Sequence, residues 1–288
     1  MNYFLDRRSD TIGGRARTLI DNLRARQSND KSLGQHFLNN EEILDRIIEI
    51  SEIKDDDKIL EIGPGPGVLT DRILELNSNL TCIEIDPGVC EYLTDTFVGI
   101  QLIEGDALDV KWSETNKFIS NLPYQISSPI IEKITQTKSI KHVVILVQEE
   151  FAQRLVVELS SDRGSLGMCT KLDWEASMDI RVPPNCFTPS PQVNSRLVIL
   201  KRIEPRENSK LTKLLIRQAF GERRKKLKNT LSRAPKRISR VKGWHSSNYK
   251  KAIQSIDFPK IYQRPEELDI EDWLNLSRLL EESRKAMG

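Results

Sequence analysis

Apolar residues in this chain gather in short, nearly unbroken runs set between amphipathic stretches. Ile59-Leu60-Glu61-Ile62, Leu80-Thr81-Cys82-Ile83-Glu84-Ile85-Asp86, Ile100-Gln101-Leu102-Ile103, Phe118-Ile119-Ser120 and His142 to Val147 each read as a buried strand. Helical patterns lie between them. Val68, Leu69, Ile73, Leu74 and Leu76 share one side, and Pro87 is placed to start a helix behind a capping Asp86. The order β-α-β-α-β-β-α-β, with every strand an apolar run, predicts a parallel, doubly wound α/β sheet whose strands are covered on both faces. Met178–Val182 and Arg196–Leu200 are strand-like and are expected to close the sheet antiparallel at one edge. Ligands of such sheets sit beyond the carboxyl ends of the strands.

The flanking segments divide the chain. Residues 1–30 are polar and weakly periodic, a helix or a loose arm preceding the main body. Glu41 to Ile50 predicts a helix with Ile43, Ile47, Ile48 and Ile50 apolar, and Phe151 to Leu159 predicts another. Ser161 to Gly167 reads as a loop, and the stretch Pro183 to Pro191 is too proline-rich for either element. From Glu204 the chain turns helical and basic. Pro259 and Pro265 mark a loop, and Asp269 or Asp272 caps a final helix carrying Trp273, Leu274, Leu276, Leu279 and Leu280. The expected organisation is an extension over 1–30, a catalytic α/β domain over 31–203 and a smaller helical domain over 204–288.

Net charge sharpens that division. The total is only +2, yet residues 201–251 hold 18 Lys and Arg against 3 Asp and Glu. Fifteen uncompensated charges in that stretch would repel strongly without a polyanion, so nucleic acid is the expected partner. Arg223, Arg224, Lys225, Lys226 and Lys228 form the densest part and are the candidate RNA contacts. No run approaches the roughly 18 apolar residues of a membrane span. The N-terminal stretch lacks a signal-peptide core, and its four Asp argue against a transit peptide, so the cytoplasm is expected. Cys82, Cys90, Cys169 and Cys186 form no C-x-x-C pair and read as small buried hydrophobes. With His36, His142 and His245 scattered, no metal site is expected.

The candidate chemistry follows the strands. Gly63, Gly65 and Gly67 alternate directly behind the first strand and its acidic Glu61. The dinucleotide fingerprint is G-x-G-x-x-G, whereas here the third glycine comes one residue early, a variant that suits the methionine end of S-adenosylmethionine better than a pyrophosphate. Glu84 lies 21 residues after Gly63, placed to accept both ribose hydroxyls of a nucleoside-bearing cofactor. Asp106 follows the third strand, where a carboxylate can accept from an adenine amino group. Asn121-Leu122-Pro123-Tyr124 follows the fourth. An adenine amine is a poor nucleophile because its lone pair is delocalised into the ring. The Asn121 side-chain oxygen and the Leu122 carbonyl can hold its hydrogens in the pyramidal form, with Pro123 stiffening the turn. Tyr124 can stack on the extruded base.

With these segments in place, the chain resembles the small-subunit ribosomal RNA adenine dimethyltransferases from about Lys31 to Leu280. The resemblance rests on Leu33-Gly34-Gln35-His36-Phe37-Leu38, Glu61 to Gly67, Glu84-Ile85-Asp86, Gly105-Asp106-Ala107 and Asn121 to Tyr124. Gln148 to Arg154, Phe187-Thr188-Pro189-Ser190-Pro191-Gln192-Val193-Asn194-Ser195 and Arg224 to Leu231 complete it. It implies a Rossmann-like class I methyltransferase sheet and an S-adenosylmethionine site lined by His36, Leu38, Gly63, Gly65, Glu84, Asp106 and Asn121. It further implies that Asn121, Leu122 and Tyr124 act on the adenine, with Phe187 stacking on its other face. Two successive methylations of each of two adjacent adenosines near the 3′ end of small-subunit rRNA are the implied reaction. The protein is then expected to act as a monomer on a subunit assembly intermediate.

Three rivals remain at this point. A large-subunit rRNA methylase of the macrolide-resistance type usually has a smaller C-terminal domain. A non-catalytic RNA-binding assembly factor would be expected to have a damaged glycine turn or Asn-Leu-Pro-Tyr segment, and both stand intact. A small-molecule methyltransferase leaves the basic segment unexplained.

Overall fold

In a computed structural model, residues 14–26 and 35–287 are described. The first thirteen residues and residues 27–34, with Leu33 and Gly34 of the first motif, lie outside them.

Seven strands form one sheet in the order β4-β3-β2-β5-β6-β9-β7. They are β2 (Ile59–Ile62), β3 (Leu80–Glu84), β4 (Gln101–Glu104), β5 (Lys117–Asn121), β6 (His142–Gln148), β7 (Trp174–Val182) and β9 (Ser195–Arg202). The pairs β2–β3, β2–β5, β3–β4 and β5–β6 are parallel, and β9 runs antiparallel to β6 from His142↔Lys201 to Gln148↔Ser195. This is the expected mostly parallel sheet with an antiparallel edge. Strands β2 and β3 are buried at every position, which is why they read as mostly apolar runs without alternation. A separate two-stranded ribbon joins β1 (Phe37–Leu38) to β8 (Phe187–Thr188) in antiparallel register, Leu38 opposite Phe187.

Two helices of the first unit start on side-chain caps, of which Asp86 was the one expected from sequence. Asn40 accepts from the Ile43 amide to start α2 (Glu41–Ser51). Asp86 accepts from the Gly88 and Val89 amides, with Pro87 in the first turn of α4 (Pro87–Thr96). Gly67 (φ 78°) opens α3 (Val68–Leu74), and α5 (Ser127–Gln136) joins β5 to β6. Ahead of them α1 (Gly14–Arg26) buries Ala16, Leu19, Ile20 and Leu23 in the same core as α3 and α4. The Tyr92 hydroxyl donates to the Leu19 carbonyl at 3.0 Å, so this part of the extension is a docked helix.

The chain divides into two compact units. One runs up to Ala152 and includes Ser177–Lys201; the other comprises Gln153–Ala176 and the chain from Arg202 on. The excursion over 153–176 therefore packs with the C-terminal helices, although in sequence it precedes the last strands of the sheet. Within it Ser165–Thr170 is a helix, α7, where a loop reaching Gly167 is expected from sequence. The small residues hid the helix: a Cβ on Gly167 would stand 2.3 Å from the Arg154 carbonyl at the end of α6 (Glu149–Val156), so only glycine allows this approach. The second unit is built on α7, α8 (Ser209–Phe220), α9 (Leu227–Thr230), α10 (Ser246–Ser255) and α11 (Ile270–Ala286). Trp244, Trp273, Tyr249 and a set of leucines make its core. Asp269 and Asp272 cap α11 reciprocally, each carboxylate accepting the other's amide.

Candidate active site

Four loops leave the same edge of the sheet: the glycine turn after β2, Glu84 at the end of β3, Gly105-Asp106 after β4, and Asn121 at the end of β5. Between the glycine turn, Glu84, the Asn121 segment and β1 lies a cleft with about 690 Å³ of empty space, its solvent-facing margin included. Its walls include His36, Leu38, Gly63, Gly65, Glu84, Asn121, Leu122 and Tyr124, most of the residues singled out from sequence.

The glycine turn is shaped to bring backbone to the cleft. Gly63, Gly65 and Gly67 have φ of 67°, 55° and 78°, the left-handed region that other residues enter at a cost. A Cβ on Gly63 would stand 2.9 Å from Pro123, and one on Gly65 would stand 2.9 Å from the Phe37 ring. The glycine turn thus nests directly against the Asn-Leu-Pro-Tyr segment.

Two carboxyl groups lie in this wall. Glu84 is buried, and its carboxylate accepts from the amides of Ile85 (2.8 Å), Asp86 (3.1 Å) and Gly65 (3.3 Å). Burial raises its pKa, while these amides oppose the rise by stabilising the anion. Glu61 lines the cleft floor and accepts from the Thr70 hydroxyl at 2.7 Å. Complete burial pushes its pKa up to about 7. No role is assigned to Glu61 from sequence; a carboxylate inside an otherwise apolar strand is the available signal.

Asn121 is held by its amide nitrogen, which donates to the His36 carbonyl at 3.0 Å. That bond fixes the amide plane and leaves Oδ1 without a hydrogen bond among the described residues. Leu122 follows with its side chain buried and its amide donating to the Leu146 carbonyl at 3.1 Å, so the main chain here is pinned to β6. The Tyr124 ring stacks on the His36 ring, with centroids 5.7 Å apart and planes 26° apart. Its hydroxyl is within 2.7 Å of Ser195 Oγ, and burial raises its pKa. His36 Nδ1 donates to the Pro189 carbonyl at 2.8 Å. Ser195 and Pro189, both within the Phe187–Ser195 motif, thereby become supports of the cleft, a role not assigned to either from sequence.

Two expected wall residues stand elsewhere. Asp106 is absent from the cleft lining, and its Oδ1 accepts from the Leu108 amide at 2.8 Å, a local turn. Phe187 is 2% exposed and belongs to the hydrophobic core with Leu38 opposite it in the ribbon. In this arrangement its ring is packed in the core and is not among the residues that line the cleft.

In the second unit, Arg223, Arg224, Lys225 and Lys226 occupy the turn between α8 and α9, with Lys228 in α9, and all five are exposed. Lys225 pairs with Glu222, and Arg223 lies 3.8 Å from Glu266. Among the described residues no cluster of His, Cys, Asp or Glu is arranged to hold a metal ion, and no helix is long and apolar enough to cross a membrane. All four cysteines are buried free thiols.

Residues 26–255 match the family model described as ribosomal RNA adenine dimethylase. A probable ribosomal RNA small subunit methyltransferase A of Thermococcus kodakarensis is 34% identical, over 87% of this chain and 90% of its own length. The corresponding protein of Bdellovibrio bacteriovorus is 39% identical over 70% of this chain and 76% of its own. Among solved structures, a dimethyladenosine transferase from Plasmodium falciparum superposes with a TM-score of 0.67 at 28% identity, covering 85% of this chain and 98% of its own. The 23S rRNA methyltransferase ErmE superposes with a TM-score of 0.62 at 23% identity, covering 85% and 99%, a likeness of fold. With a glycine-turned parallel sheet, an intact Asn-Leu-Pro-Tyr turn and these relatives, the chain belongs to the ribosomal RNA adenine dimethylase family of methyltransferases.

Proposed function

We propose that this protein dimethylates two adjacent adenosines near the 3′ end of small-subunit rRNA, using S-adenosylmethionine, on a subunit assembly intermediate in the cytoplasm. It works as a monomer, with the exposed basic turn gripping the RNA backbone. The observation that carries the reading is the orientation of Asn121. Its nitrogen is committed to the His36 carbonyl, so its oxygen is the acceptor presented to a substrate. The fit to the cofactor rests on the glycine cradle, which a single Cβ would fill, and on the buried Glu84 beside it. His36, Leu38, Gly63, Gly65, Glu84 and Asn121 would hold it, Glu84 through the ribose hydroxyls. Asp106, which follows the neighbouring strand, would contribute at the adenine end.

When bound, S-adenosylmethionine supplies an electrophilic methyl group on a sulfonium. The chain's own residues prepare the acceptor. Asn121 Oδ1 and the Leu122 carbonyl take one amino hydrogen each, which turns the nitrogen lone pair out of the adenine plane. The Tyr124 ring packs on the base, its orientation held by Ser195 and His36. A neutral amine needs no strong base to begin, so alignment dominates the rate. The small-subunit assignment follows the names of the curated relatives, whereas the 23S enzyme resembles this chain in fold alone.

The test supplies purified protein and labelled S-adenosylmethionine to undermethylated small subunits, to large subunits and to duplex DNA. Digested RNA is scored for dimethyladenosine beside an Asn121→Ala control. Label in small-subunit RNA that the substitution abolishes is expected. Label confined to large subunits would move the protein to the resistance-type methylases. Binding to small subunits without any label would make it an assembly factor.

A further inference from the structure

An exposed aromatic stands inside the basic region of the second unit. Tyr262 ends a short 3₁₀ turn (Pro259–Tyr262) and is 59% exposed, whereas the other tyrosine of this unit, Tyr249, is wholly buried. The turn is tied to the basic segment by the Leu227 amide, which donates to the Gln263 carbonyl at 2.8 Å. Lys228 Nζ lies 5.0 Å from the Tyr262 ring centroid, so one cation is already docked on the ring. The exposure is what remains with Lys228 in place, so a large part of the ring is open to a second flat partner.

The surrounding charge favours a polyanion. Lys225 pairs with Glu222, Arg223 lies near Glu266, and Lys260 is held by both oxygens of Asp272 at 2.6 Å. Arg224, Lys226, Lys228 and Arg264 are exposed and carry no ion pair among the described residues. Cations beside an open aromatic face are what a single-stranded nucleic acid needs, the charges taking phosphates and the ring taking a base. A protein partner of acidic character would use the charges but would leave the aromatic plane unexplained.

We infer that Tyr262 is a stacking platform for one unpaired nucleotide of the RNA, with Lys228 contacting a phosphate beside it. This rests on the RNA-directed function proposed above and extends it from backbone contacts to a preference for a flipped or unpaired base at the second unit. Tyr262 is not among the residues that line the cleft, so its substitution should change binding and leave the chemical step alone.

The experiment measures binding of the full chain to a labelled 12-nucleotide single-stranded RNA and to a blunt RNA duplex of the same length, across a salt series. Base–aromatic stacking corresponds to roughly 5- to 150-fold in affinity. Tyr262→Ala is expected to weaken single-strand binding within that range, leave duplex binding unchanged and leave the salt slope unchanged. Tyr262→Phe is expected to bind like the parent. Lys228→Met should shallow the single-strand salt slope by about 0.7, one phosphate contact. Equal single-strand binding by Tyr262→Ala and the parent would overturn the platform, as would a loss shared by Tyr262→Phe or by the duplex. Methylation by the parent chain is followed in parallel on undermethylated small subunits. There Tyr262→Ala should raise KM with kcat unchanged. Absence of label with the parent chain would refute the small-subunit reading alone, because the oligonucleotide comparison stands without it.

Discussion

The contact between Gly63 and Pro123 makes the glycine turn and the Asn-Leu-Pro-Tyr segment one mechanical unit, and a pair of alanine substitutions can measure it. Gly63 has φ +67° and its Cβ would meet Pro123 Cγ at 2.9 Å. Gly99 also has positive φ, +83°, yet its Cβ would meet none of the described residues within 4 Å. Both substitutions incur the left-handed penalty of about 1–2 kcal/mol. Only Gly63→Ala adds overpacking, about 1–3 kcal/mol. The proline ring cannot swing aside as a flexible chain end would. The Leu122 amide holds to Leu146, and the Pro123 carbonyl accepts from the Ile126 amide at 3.2 Å. The strain must therefore move the turn that carries Asn121. Urea denaturation of both variants is expected to show Gly99→Ala destabilised by about 1–2 kcal/mol, with Gly63→Ala lower by a further 1–3. On undermethylated small subunits, Gly99→Ala should keep its kcat, while Gly63→Ala should lose about 100-fold, the order expected for an ångström of misalignment. Equal destabilisation with equal kcat would mean that the two segments are not coupled and would refute the reasoning.

Other perturbations test the buried charges and the first helix. Glu61 has its pKa raised to about 7 against an ordinary 4.5, so the folded state keeps its proton where the unfolded chain has lost it. Stability is lost as pH rises from about 4.5 through 7, by roughly 3 kcal/mol at most, and urea midpoints should fall less steeply over that window in Glu61→Gln; an unchanged slope would exclude Glu61 as the source. His142 is the opposite case. Burial, Lys117 and Lys201 lower its pKa to about 4, so stability is lost as pH falls from 6.5 towards 4. Its Nε2 also has no hydrogen-bond partner among the described residues. His142→Leu should therefore flatten the acid limb of a thermal-melt series, and a limb of the same steepness would count against it. In α1, Leu23 is 2% exposed, and Leu23→Ala should cost about 2–4 kcal/mol. Arg26, half exposed and paired with Asp95, should cost under about 0.5 kcal/mol as Arg26→Ala. Similar small losses for both would make α1 a loosely held arm.

Much of the architecture was legible because a strand covered on both faces leaves no room for polar alternation. Ile59–Ile62 and Leu80–Glu84 could hardly be read otherwise, and the acids and glycines at their ends marked the binding edge. Helix α7 was not legible: Ser165 and Gly167 imitate a loop, and only the close approach to the Arg154 carbonyl explains the glycine. The excursion over 153–176 was likewise hidden, since local pattern does not say which core Met168 and Leu172 will join. Glu84 and Asp106 look alike in sequence, each an acid behind a strand. The fold separates them, giving Glu84 the cleft wall with three amides and Asp106 a local turn.

By itself the sequence determined the strands and their mostly parallel sense, the glycine turn, the Asn-Leu-Pro-Tyr turn and the basic stretch after residue 200, because each is carried by the local pattern of neighbouring residues. Tertiary structure alone decided what converges from a distance. The pairing of Leu38 with Phe187, the hold of Ser195 on Tyr124 and the His36 carbonyl that orients Asn121 each join segments far apart in sequence. So does the meeting of Tyr262 with Lys228. Hydrogen bonds and ring contacts act over a few ångströms, and the distance along the chain between two residues says nothing of whether the fold will bring them that close.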